Sequence, residues 1–467
     1  MSVTAETLSS ISVAALVTAM VTDDKDKSEY TLVVGLGITG LSAVRYLTAQ
    51  GLNVVVTDSR QQPPGLDDLQ KHYPEVNVCL GEFDEALFMG AAKIIVSPGV
   101  SMREEILQHA QQQGVGVIGD IELFAQEINA PVIAVTGSNG KSTVVTLLGE
   151  MAKAAGMNAV VGGNIGVPAL DLIEQHAELY ILELSSFQLE SLQSLKPVAA
   201  AVLNVSPDHL DRYDSYADYV QTKAHIYRHC KLAVINKDDE SVAAMQTGQK
   251  HIAGFTLCEP AHGDFGLRQF NDDIWLCKGG QKLIKQQDVK IQGQHNLANA
   301  LAALALGEAA GLPMQSMLST LKRFTGLEHR TQFVAEKDSV SWVNDSKGTN
   351  VGATIAAIAG IEVKNKLILI AGGLAKDADF SPLKAALVDK VRSVILIGKD
   401  APLIEQAIEA VVPSWYAKDM QDAVNIAANL AHPGDTVLLS PACASFDMFN
   451  GYEHRGDMFV QAVEGLQ

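Results

Sequence analysis

A strand–turn–helix pattern near residue 140 restricts the fold of this chain more than any other feature. The apolar run Pro131–Val135 enters the turn Thr136-Gly-Ser-Asn-Gly-Lys-Ser-Thr143, and a helix-like stretch follows from Val144 to Ala155. Backbone N–H groups in such a turn point at phosphate oxygens, and the helix N-terminus adds positive potential. The pattern therefore predicts an α/β fold with a nucleotide-phosphate loop.

The side chains of this turn suit a bound triphosphate. Lys141 supplies a positive charge to the phosphates, and Ser142 or Thr143 supplies a hydroxyl for Mg²⁺. The usual pattern, G-x-x-x-x-G-K-S/T, has glycine where this chain has Val135, so the turn is a variant. The alternative is a glycine-rich strand-to-helix turn that binds no ligand.

Size, charge and cysteine content limit the functional classes. The 467 residues are enough for two to four domains. The net charge of −19 argues against nucleic acid as a partner, because phosphate neutralisation needs a basic face. Cysteines at positions 79, 230, 258, 277 and 443 have no paired spacing, which is typical of a reducing compartment and excludes a C-x-x-C metal site.

Residues 1–28 are predicted to form an N-terminal extension. A secretory signal begins with basic residues, but no basic residue precedes the apolar run Ile11–Val21 of this segment. The run is also shorter than the ~20 residues needed to span a bilayer. We therefore expect no membrane association and a cytoplasmic location.

Three blocks alternate strand-like apolar runs with helix-like stretches, which predicts parallel sheets with crossover helices. We expect three domains over residues 29–120, 121–326 and 327–467. Parallel sheets bind ligands beyond the carboxyl ends of their strands, so the blocks are expected to face a shared cleft. The strand-like runs are Thr31–Val34, Asn53–Thr57 and Lys93–Val96 in the first block; Ala159–Gly162, Leu179–Leu184, Ala199–Asn204 and Leu232–Asn236 in the second; and Leu367–Ala371, Ser393–Ile397 and Thr436–Ser440 in the third.

The first block carries a dinucleotide-type fingerprint. Gly35-Leu-Gly-Ile-Thr-Gly40 follows the first strand, and Asp58 follows the second. Alone, this pattern predicts NAD, but the same turn suits any phosphate-bearing nucleotide. The rest of the chain offers no hydride-transfer site.

Two polar residues follow strands of the second block. Glu183 ends an apolar strand, where a carboxylate is costly unless it is paired or bound to metal, so Mg²⁺ and a salt bridge are both open. His209 is flanked by aspartates in Asn204-Val-Ser-Pro-Asp-His-Leu-Asp-Arg212, at the same predicted sheet edge. We treat both as candidate site residues.

Lys223 lies on the apolar face of a predicted helix that Asp214 caps and that extends to about Cys230. Burial lowers the pKa of lysine from about 10.4. A neutral amine can add CO₂ to become a carbamate, which is a good ligand for a hard cation. The alternative is a lysine whose charged head reaches water.

Further polar residues lie at helix starts and turns. Asn296 and Asn299 share a helix face and suit hydrogen bonds to a nucleotide, although ordinary capping is open. Cations at glycine-rich turns suit an anionic substrate or a γ-phosphate. The candidates in the third block are Arg330, Asp345, Lys347, Thr349 and Lys376.

These motifs together resemble the Mur ligase family. The resemblance spans residues 31 to about 457 and covers the variant loop as well. Its motifs are Thr136-Gly-Ser-Asn-Gly-Lys-Ser-Thr143, Gly163-Asn-Ile-Gly166, Glu183-Leu-Ser-Ser-Phe-Gln-Leu-Glu190, Asp208-His-Leu-Asp-Arg-Tyr213, Gly293-Gln-His-Asn296, Asn344-Asp-Ser-Lys-Gly-Thr-Asn350 and Ser440-Pro-Ala-Cys-Ala-Ser445.

The resemblance implies three domains: a Rossmann-like N-terminal domain for the UDP substrate, a P-loop ATPase-like central domain for ATP, and a Rossmann-like C-terminal domain for the amino acid. It also implies an ATP-dependent amide ligase in peptidoglycan precursor synthesis. The reaction joins D-glutamate to UDP-N-acetylmuramoyl-L-alanine through an acyl phosphate. Two Mg²⁺ ions, a carbamate on Lys223 and a monomeric enzyme are expected with it.

Carried onto matching positions, the resemblance implies four sets of residues, of which Lys141, His209 and Lys223 are the catalytic ones. The ATP set is Gly137, Ser138, Asn139, Gly140, Lys141, Ser142, Thr143, Asn296, Asn299, Arg330, Asp345 and Lys347. The UDP-substrate set is Ile38, Thr39, Asp58, Ser59, Arg60, Ser97, Gly99, Asn164 and His209. The D-glutamate set is Thr349, Lys376, Ser445 and Tyr452, and the metal set is Ser142, Glu183, His209 and Lys223.

Two positions depart from the family pattern. Phe446 stands where leucine is expected, and Tyr452 where phenylalanine is common. We expect both to alter packing around the amino acid more than its identity.

Three rival functions remain open at this point. An NAD-dependent oxidoreductase would use the first glycine turn but leaves Glu183 and Lys223 unexplained. A nucleotide-gated switch would hydrolyse ATP without ligation. A sister ligase would add another amino acid or, as in folate polyglutamate ligases, would lack a UDP-binding first block.

Overall fold

The computed structural model of this protein contains three β-sheets, which are formed by successive parts of the chain and have helices between their strands. It describes residues 29–209, 212–245, 248, 251–291, 293–361, 363–375, 377–409 and 411–466. The predicted N-terminal extension, residues 1–28, lies outside the described residues, and so does the candidate Lys376. Within those ranges, no helix has the length and apolar character needed to cross a bilayer.

The first sheet is entirely parallel, with strand order β3-β2-β1-β4-β5. The order reverses between β1 and β4, which opens a crevice beyond their carboxyl ends. The strands are β1 (Thr31–Val34), β2 (Val54–Asp58), β3 (Asn77–Leu80), β4 (Lys93–Val96) and β5 (Gly116–Gly119); the helices are α1 (Ile38–Ala49), α2 (Leu66–His72), α3 (Glu85–Met89), α4 (Glu105–Gln112) and α5 (Asp120–Glu127).

The second sheet has nine strands in the order β14-β13-β12-β11-β10-β9-β6-β8-β7. Its strands are β6 (Val132–Thr136), β7 (Ala159–Gly163), β8 (Leu179–Glu183), β9 (Ala199–Val202), β10 (Leu232–Asn236), β11 (Ile252–Phe255), β12 (Phe265–Phe270), β13 (Asp273–Lys278) and β14 (Gln281–Lys285). Its helices are α6 (Lys141–Ala154), α7 (Ser186–Glu190), α8 (Tyr216–Ala224), α9 (Glu240–Ala243), α10 (Gln294–Ala309) and α11 (Met314–Leu321), with 3₁₀ turns at Ala169–Gln175, His225–Tyr227 and Gln286–Asp288.

The third sheet has the order β15-β16-β20-β17-β18-β19. Its strands are β15 (Gln332–Lys337), β16 (Val340–Asn344), β17 (Leu367–Gly372), β18 (Val391–Ile397), β19 (Ser414–Tyr416) and β20 (Thr436–Leu439). Its helices are α12 (Val351–Gly360), α13 (Leu383–Leu387), α14 (Ala401–Ile408), α15 (Met420–Leu430) and α16 (Tyr452–Glu464).

Strand β6 shows why the phosphate loop has a fixed position. Val132 and Ala134 pack into the hydrophobic core on one face of the second sheet, whereas Ile133 and Val135 pack into the core on the other. A strand that is covered on both faces reads as a continuous apolar run, as this one does. The turn that follows β6 therefore emerges from the middle of a packed sheet.

The α/β architecture confirms the predicted fold class, but two of the three sheets are not purely parallel as predicted. Strands β12–β14 pair antiparallel, as β15 does with β16, so the second and third sheets are mixed rather than purely parallel. The strands of these hairpins are short and alternate between apolar and polar residues, so the sequence shows no apolar run long enough to be recognised there.

The predicted helix around Lys223 is shorter than expected, and its cap is a different residue. Ser215, not Asp214, accepts from the backbone of Asp218. The carboxylate of Asp214 pairs with Arg103 instead. The α-helix ends at Ala224 and tightens into a 3₁₀ turn rather than continuing to Cys230.

Candidate active site

The phosphate loop joins β6 to α6 as the sequence predicts. Gly140 caps the helix in the left-handed region, with φ of 85°, a conformation that glycine adopts without steric cost. The Lys141 ammonium donates to the carbonyls of Gly137 at 2.8 Å and Ser138 at 3.1 Å. Burial is the main cause that lowers the pKa of Lys141. The Lys141 side chain therefore folds back onto its own loop, and its ammonium lies where a phosphate would bind.

The segment after β9 holds the loop in shape. Asn204 accepts from the backbone of Asn139 at 2.8 Å and donates back to its carbonyl at 3.0 Å. The Ser138 hydroxyl donates to the Ser206 carbonyl and accepts from the Ser206 backbone N–H, both at 3.0 Å. These reciprocal bonds pre-organise the loop before any ligand binds.

A carboxylate stands beside the first turn of α6. Strand β8 pairs with β6 so that Glu183 lies opposite Val135. The Ser142 hydroxyl donates to Glu183 Oε2 at 2.6 Å, and the Asn164 amide donates to Oε1 at 2.8 Å. Ser142 and Glu183 are both buried. Hydroxyl and carboxylate oxygens are the hard donors that Mg²⁺ prefers, so this pair fits one ion.

Lys223 is buried on α8, with 2% of its surface exposed. Its ammonium donates to the Gly137 carbonyl at 3.1 Å and lies 4.6 Å from the centroid of the Tyr219 ring. Burial, followed by the charge of Lys141, moves the pKa of Lys223 well below its usual value, against the opposing effect of Asp208 and Glu183. The two lysines therefore meet at Gly137, where burial and the charge of Lys141 both disfavour a charged Lys223.

His209 lies at the edge of this group. Its backbone is left-handed, with φ of 56°, and its ring packs edge-on against Phe187 at 4.9 Å. Its Nε2 atom is 3.7 Å from Asp208 Oδ2. No group of three or more His, Cys, Asp or Glu side chains that could hold a metal occurs in the described part of the chain. Glu183 and His209, two of the predicted metal ligands, therefore belong to no such group of three among the described residues.

A cavity of about 310 Å³ lies between the second and third sheets. The loop residues Asn139, Gly140 and Thr143 form one end of it. The ATP candidates outside the loop all line the same cavity: Asn296, Asn299, Arg330, Asp345 and Lys347. The structure thus brings together residues that are more than 200 positions apart in the chain.

Charged residues of the third block approach the loop. Arg330 donates to the Ser142 hydroxyl at 2.6 Å. Burial raises the pKa of Asp345 to about 6, although Asp345 accepts from Ser440 at 2.7 Å. Burial and the neighbouring Arg330 lower the pKa of Lys347 to about 8, and its ammonium lies 3.7 Å from the Tyr452 ring centroid.

A second cleft, of about 650 Å³, opens at the reversal point of the first sheet. Eight of the nine UDP-substrate candidates line it: Ile38, Thr39, Asp58, Ser59, Arg60, Ser97, Gly99 and Asn164. His209 instead lines a neighbouring open cleft of about 1410 Å³, which shares Ser59 and Gly99 with the first. The two clefts therefore form one groove that leads from the first sheet towards His209.

Asp58 is not available for the role that a dinucleotide fingerprint gives it. Its Oδ2 accepts from the Leu36 backbone at 2.7 Å and from Arg60 Nη2 at 2.7 Å, and its Oδ1 accepts twice more from Arg60. Burial raises the pKa of Asp58, but these hydrogen bonds outweigh burial and lower it to about 2. Because both oxygens are occupied, a ribose hydroxyl has no free acceptor here.

The D-glutamate candidates lie on loops of the third sheet. Strands β16 and β20 are neighbours, so the loops that carry Thr349 and Ser445 are adjacent. Ala442 donates to the Gly348 carbonyl at 2.9 Å between them. Tyr452 begins α16 beneath the Lys347 ammonium. Ser445 is buried, whereas Phe446 is 71% exposed, so Phe446 does not pack in the core around this site.

Several residues of the site were not among the sequence candidates. Asn350 donates to Asn139 at 3.4 Å and to Asp208 at 3.3 Å. Tyr219 lies 3.2 Å from the Ser138 hydroxyl. Asn350 ends one of the motifs quoted above, and Tyr219 shares a helix face with Lys223. Membership of that motif and of that helix face could have suggested these two residues, but neither feature shows which residue each of them contacts.

Three family models match this chain in succession. Residues 29–119 match the N-terminal domain of MurD-like Mur ligases, residues 135–307 the Mur ligase middle domain, and residues 329–443 the Mur ligase glutamate ligase domain.

Relatives named UDP-N-acetylmuramoylalanine–D-glutamate ligase are similar over nearly the whole chain. The protein from Marinobacter nauticus is 52% identical over 93% of this chain and 98% of its own length. The one from Nitrosococcus oceani is 51% identical over 93% and 96%.

Solved structures share the fold at low identity. A pseudomurein peptide ligase type C from Methanothermus fervidus superposes with a TM-score of 0.59 at 18% identity, covering 94% of this chain and 100% of that one. The UDP-N-acetylmuramate–alanine ligase of Thermotoga maritima gives 0.58 at 17%, covering 93% and 99%.

Proposed function

This chain belongs to the Mur ligase family, and we propose that it joins D-glutamate to UDP-N-acetylmuramoyl-L-alanine in an ATP-dependent reaction of peptidoglycan precursor synthesis. The observation that carries the proposal is the meeting of Ser142, Glu183 and the buried Lys223 around one glycine turn. Gly140 and Thr143, on either side of Ser142 in the chain, line the cavity of about 310 Å³, and Asn164, which bonds to Glu183, lines the groove of the first sheet.

ATP is the nucleotide of this family, and the cavity beside the loop suits it. Its triphosphate would lie on the loop, near Lys141 and Arg330. Its nucleoside would enter the cavity, where the amides of Asn296 and Asn299 are 3.2 Å apart and buried. Asp345 and Lys347 stand at the same cavity wall and complete the proposed ATP site.

Mg²⁺ fits the oxygen donors of Ser142 and Glu183, which are already in contact. When bound, the ion supplies charge neutralisation to the phosphates and to the attacking carboxylate. Asn164 would hold Glu183 in place through its bond to the second carboxylate oxygen. A second ion would need His209 and Lys223 as well, and hence the carbamate.

A carbamate on Lys223 is supported by the chemistry of its surroundings. The side chain is buried, and burial lowers its pKa, which favours the neutral amine that can add CO₂. The modification would place an anion beside the Lys141 ammonium, so that the two groups attract each other. It would also give the metal site a carboxylate on a long arm.

The groove of the first sheet is the proposed site for the UDP part of the substrate. The glycine turn before α1 and the helix N-terminus at Ile38 suit a diphosphate. Arg60 lies in the same cleft, with its guanidinium held by Asp58. The remainder of the substrate would extend along the groove past Gly99 towards His209 and the phosphate loop.

D-Glutamate would bind on the third block, near Thr349, Ser445 and Tyr452, with Lys376 a further proposed contact outside the described residues. Lys347 lies over the Tyr452 ring and also lines the ATP cavity. An incoming amino acid at Tyr452 would therefore lie next to the nucleotide site. Positive charge from Lys347 favours its carboxylates.

The proposed reaction has two steps. The terminal carboxylate of L-alanine attacks the γ-phosphate of ATP, giving an acyl phosphate and ADP. The amine of D-glutamate then attacks that carbonyl carbon and displaces phosphate to form the amide. Lys141 and Arg330 neutralise the charge that the first step gathers, so the residues act mainly by positioning and electrostatics.

We further propose domain boundaries at residues 29–120, 121–326 and 327–467, because each interval encloses one sheet. A cytoplasmic location accords with a reaction that consumes ATP. A monomeric state is also proposed, and light scattering on the purified protein tests it.

The decisive experiment measures ADP release from the purified chain with a panel of amino acids. We expect turnover that requires both UDP-N-acetylmuramoyl-L-alanine and D-glutamate. Turnover with a different amino acid, and none with D-glutamate, would contradict the proposed specificity. ATP hydrolysis that is independent of both substrates would favour the nucleotide-gated switch.

A further inference from the structure

The guanidinium of Arg212 joins two of the three sheet-bearing blocks. Its Nη1 donates to the Pro98 carbonyl at 2.9 Å, and its Nη2 donates to the Val100 carbonyl at 3.1 Å. Both carbonyls belong to the loop after β4 in the first block, residues 97–101, here called the β4 loop. Arg212 itself follows β9 in the second block.

The same guanidinium is anchored on its own side by helix α7. Nη2 and Nε donate to the two oxygens of Glu190 at 2.9 Å and 3.3 Å. Its central carbon lies 4.0 Å from the centroid of the Phe187 ring. Both charged side chains are largely buried, with 14% and 10% of their side-chain surface exposed. The planar guanidinium contacts a carboxylate, two carbonyls and an aromatic face at the same time. A lysine ammonium cannot make all of these contacts.

The β4 loop forms part of the proposed UDP-substrate groove. Ser97 and Gly99 line the cleft of the first sheet, and Gly99 also lines the neighbouring cleft beside His209. The Ser97 hydroxyl donates to the Gly35 carbonyl at 2.8 Å, so the loop also supports the glycine turn of β1. A displacement of this loop would therefore move both walls of the groove.

We propose that Arg212 is a positioning residue for the UDP-sugar substrate. It acts through the β4 loop, whose place in the groove it fixes from the second block. The backbone of Arg212 also donates to the His209 carbonyl at 3.0 Å, so the clamp sits directly beside the proposed catalytic histidine. This inference rests on the proposed function, because it assumes that the groove binds the UDP substrate.

Arg45 supplies a matched control. It also joins the first block to the second, because its Nε and Nη2 donate to the two oxygens of Asp171 at 3.2 Å and 2.6 Å. Its side chain is 39% exposed and does not line either cleft of the groove. Partly exposed pairs of this kind contribute little to stability.

The test compares Arg212→Lys with Arg45→Lys in steady-state assays that vary one substrate at a time. For Arg212→Lys we expect the KM for UDP-N-acetylmuramoyl-L-alanine to rise about tenfold or more, since charge-assisted hydrogen bonds are lost. The KM for ATP should change less than about twofold, because the phosphate loop does not contact Arg212. Arg45→Lys should leave both KM values within about twofold of wild type.

A second variant covers the case in which Arg212→Lys does not fold. Glu190→Gln keeps the bonds from Arg212 to the β4 loop but loosens its anchor, so we expect a smaller rise in the same KM. An unchanged KM for the UDP substrate in the folded variants overturns the inference. Equal changes in the KM values for ATP and the UDP substrate also overturn it, since they would indicate a general structural role.

Direct titration with UDP separates this inference from the proposed function. If the wild type binds UDP but does not turn over the substrate pair, the proposed reaction is wrong. Weaker UDP binding by Arg212→Lys would then still support the clamp, and equal binding would refute it.

Discussion

Arg330 donates to the hydroxyl of Ser142 at 2.6 Å, across 188 positions of the chain. Ser142 simultaneously donates to Glu183, so one hydroxyl connects the third block to the proposed metal site. Asn350 adds a second contact from the third block, to Asn139 in the loop itself. The third block therefore reaches the phosphate loop directly, through the side chains of Arg330 and Asn350.

Arg330→Lys tests this contact. We expect kcat/KM for ATP to fall roughly 10- to 100-fold, because lysine keeps the charge but loses the fork that reaches both Ser142 and a phosphate. Steady-state kinetics check it against Arg323→Lys, a change at an exposed arginine. Equal kinetics in the two variants would count against a role for Arg330 in ATP use.

Gly140→Ala should weaken ATP binding strongly. A Cβ at this position would lie 2.4 Å from Asn299 Oδ1, and the residue has φ of +85°. Asn299 would have to leave the cavity wall, so we expect the dissociation constant of an ATP analogue, measured by calorimetry, to rise at least about tenfold.

Gly156→Ala separates backbone strain from the clash. Gly156 follows the same helix and has φ of +76°, but nothing lies within 4 Å of its added Cβ. We expect it to lower the free energy of unfolding by roughly 1 kcal/mol and to leave ATP binding unchanged. Similar ATP binding by the two variants would mean that Asn299 does not matter.

Lys223→Ala should lose nearly all activity, and short carboxylates or bicarbonate should restore part of it. The added anion would occupy the space of the proposed carbamate beside Gly137 and supply the missing metal ligand. Lys231→Ala, at an exposed lysine, serves as the control and should show neither loss nor rescue. Absence of rescue at every carboxylate size tested would argue against the carbamate.

Asp120→Asn should show that the buried carboxyl of Asp120 lowers the free energy of unfolding at neutral pH. Burial raises the pKa of Asp120 to about 6, although its carboxylate accepts from Gln188 at 2.9 Å. Below its unfolded pKa of about 3.9, both states hold the proton and no penalty arises. As the pH rises through 4 to about 6, the unfolded state ionises first, so the wild type loses up to roughly 3 kcal/mol.

Urea unfolding between pH 4 and pH 8 measures this effect. The free energy of unfolding of the wild type should fall relative to Asp120→Asn as the pH rises, and the difference should level off above about pH 6. A difference that stays constant over the whole range would show that Asp120 titrates normally.

Local pattern was enough to predict the strand–turn–helix unit that carries the phosphate loop. The run before Gly137 is apolar because β6 is covered on both faces, and the glycines that follow mark a turn that other residues would strain. Asn296 and Asn299 could be placed on one helix face by spacing alone. The motifs also indicated the family, which the family models confirm.

What the sequence by itself determined is therefore the set of strand–turn–helix units, the polar residues at their ends and the family. Only the tertiary structure decided which of these residues meet. The bond between Arg330 and Ser142 and the bonds from Arg212 to two carbonyls depend on how separate sheets pack. Spacing along a chain fixes the face of one helix or strand, whereas contacts between units depend on the sum of many weak packing interactions that no local pattern records.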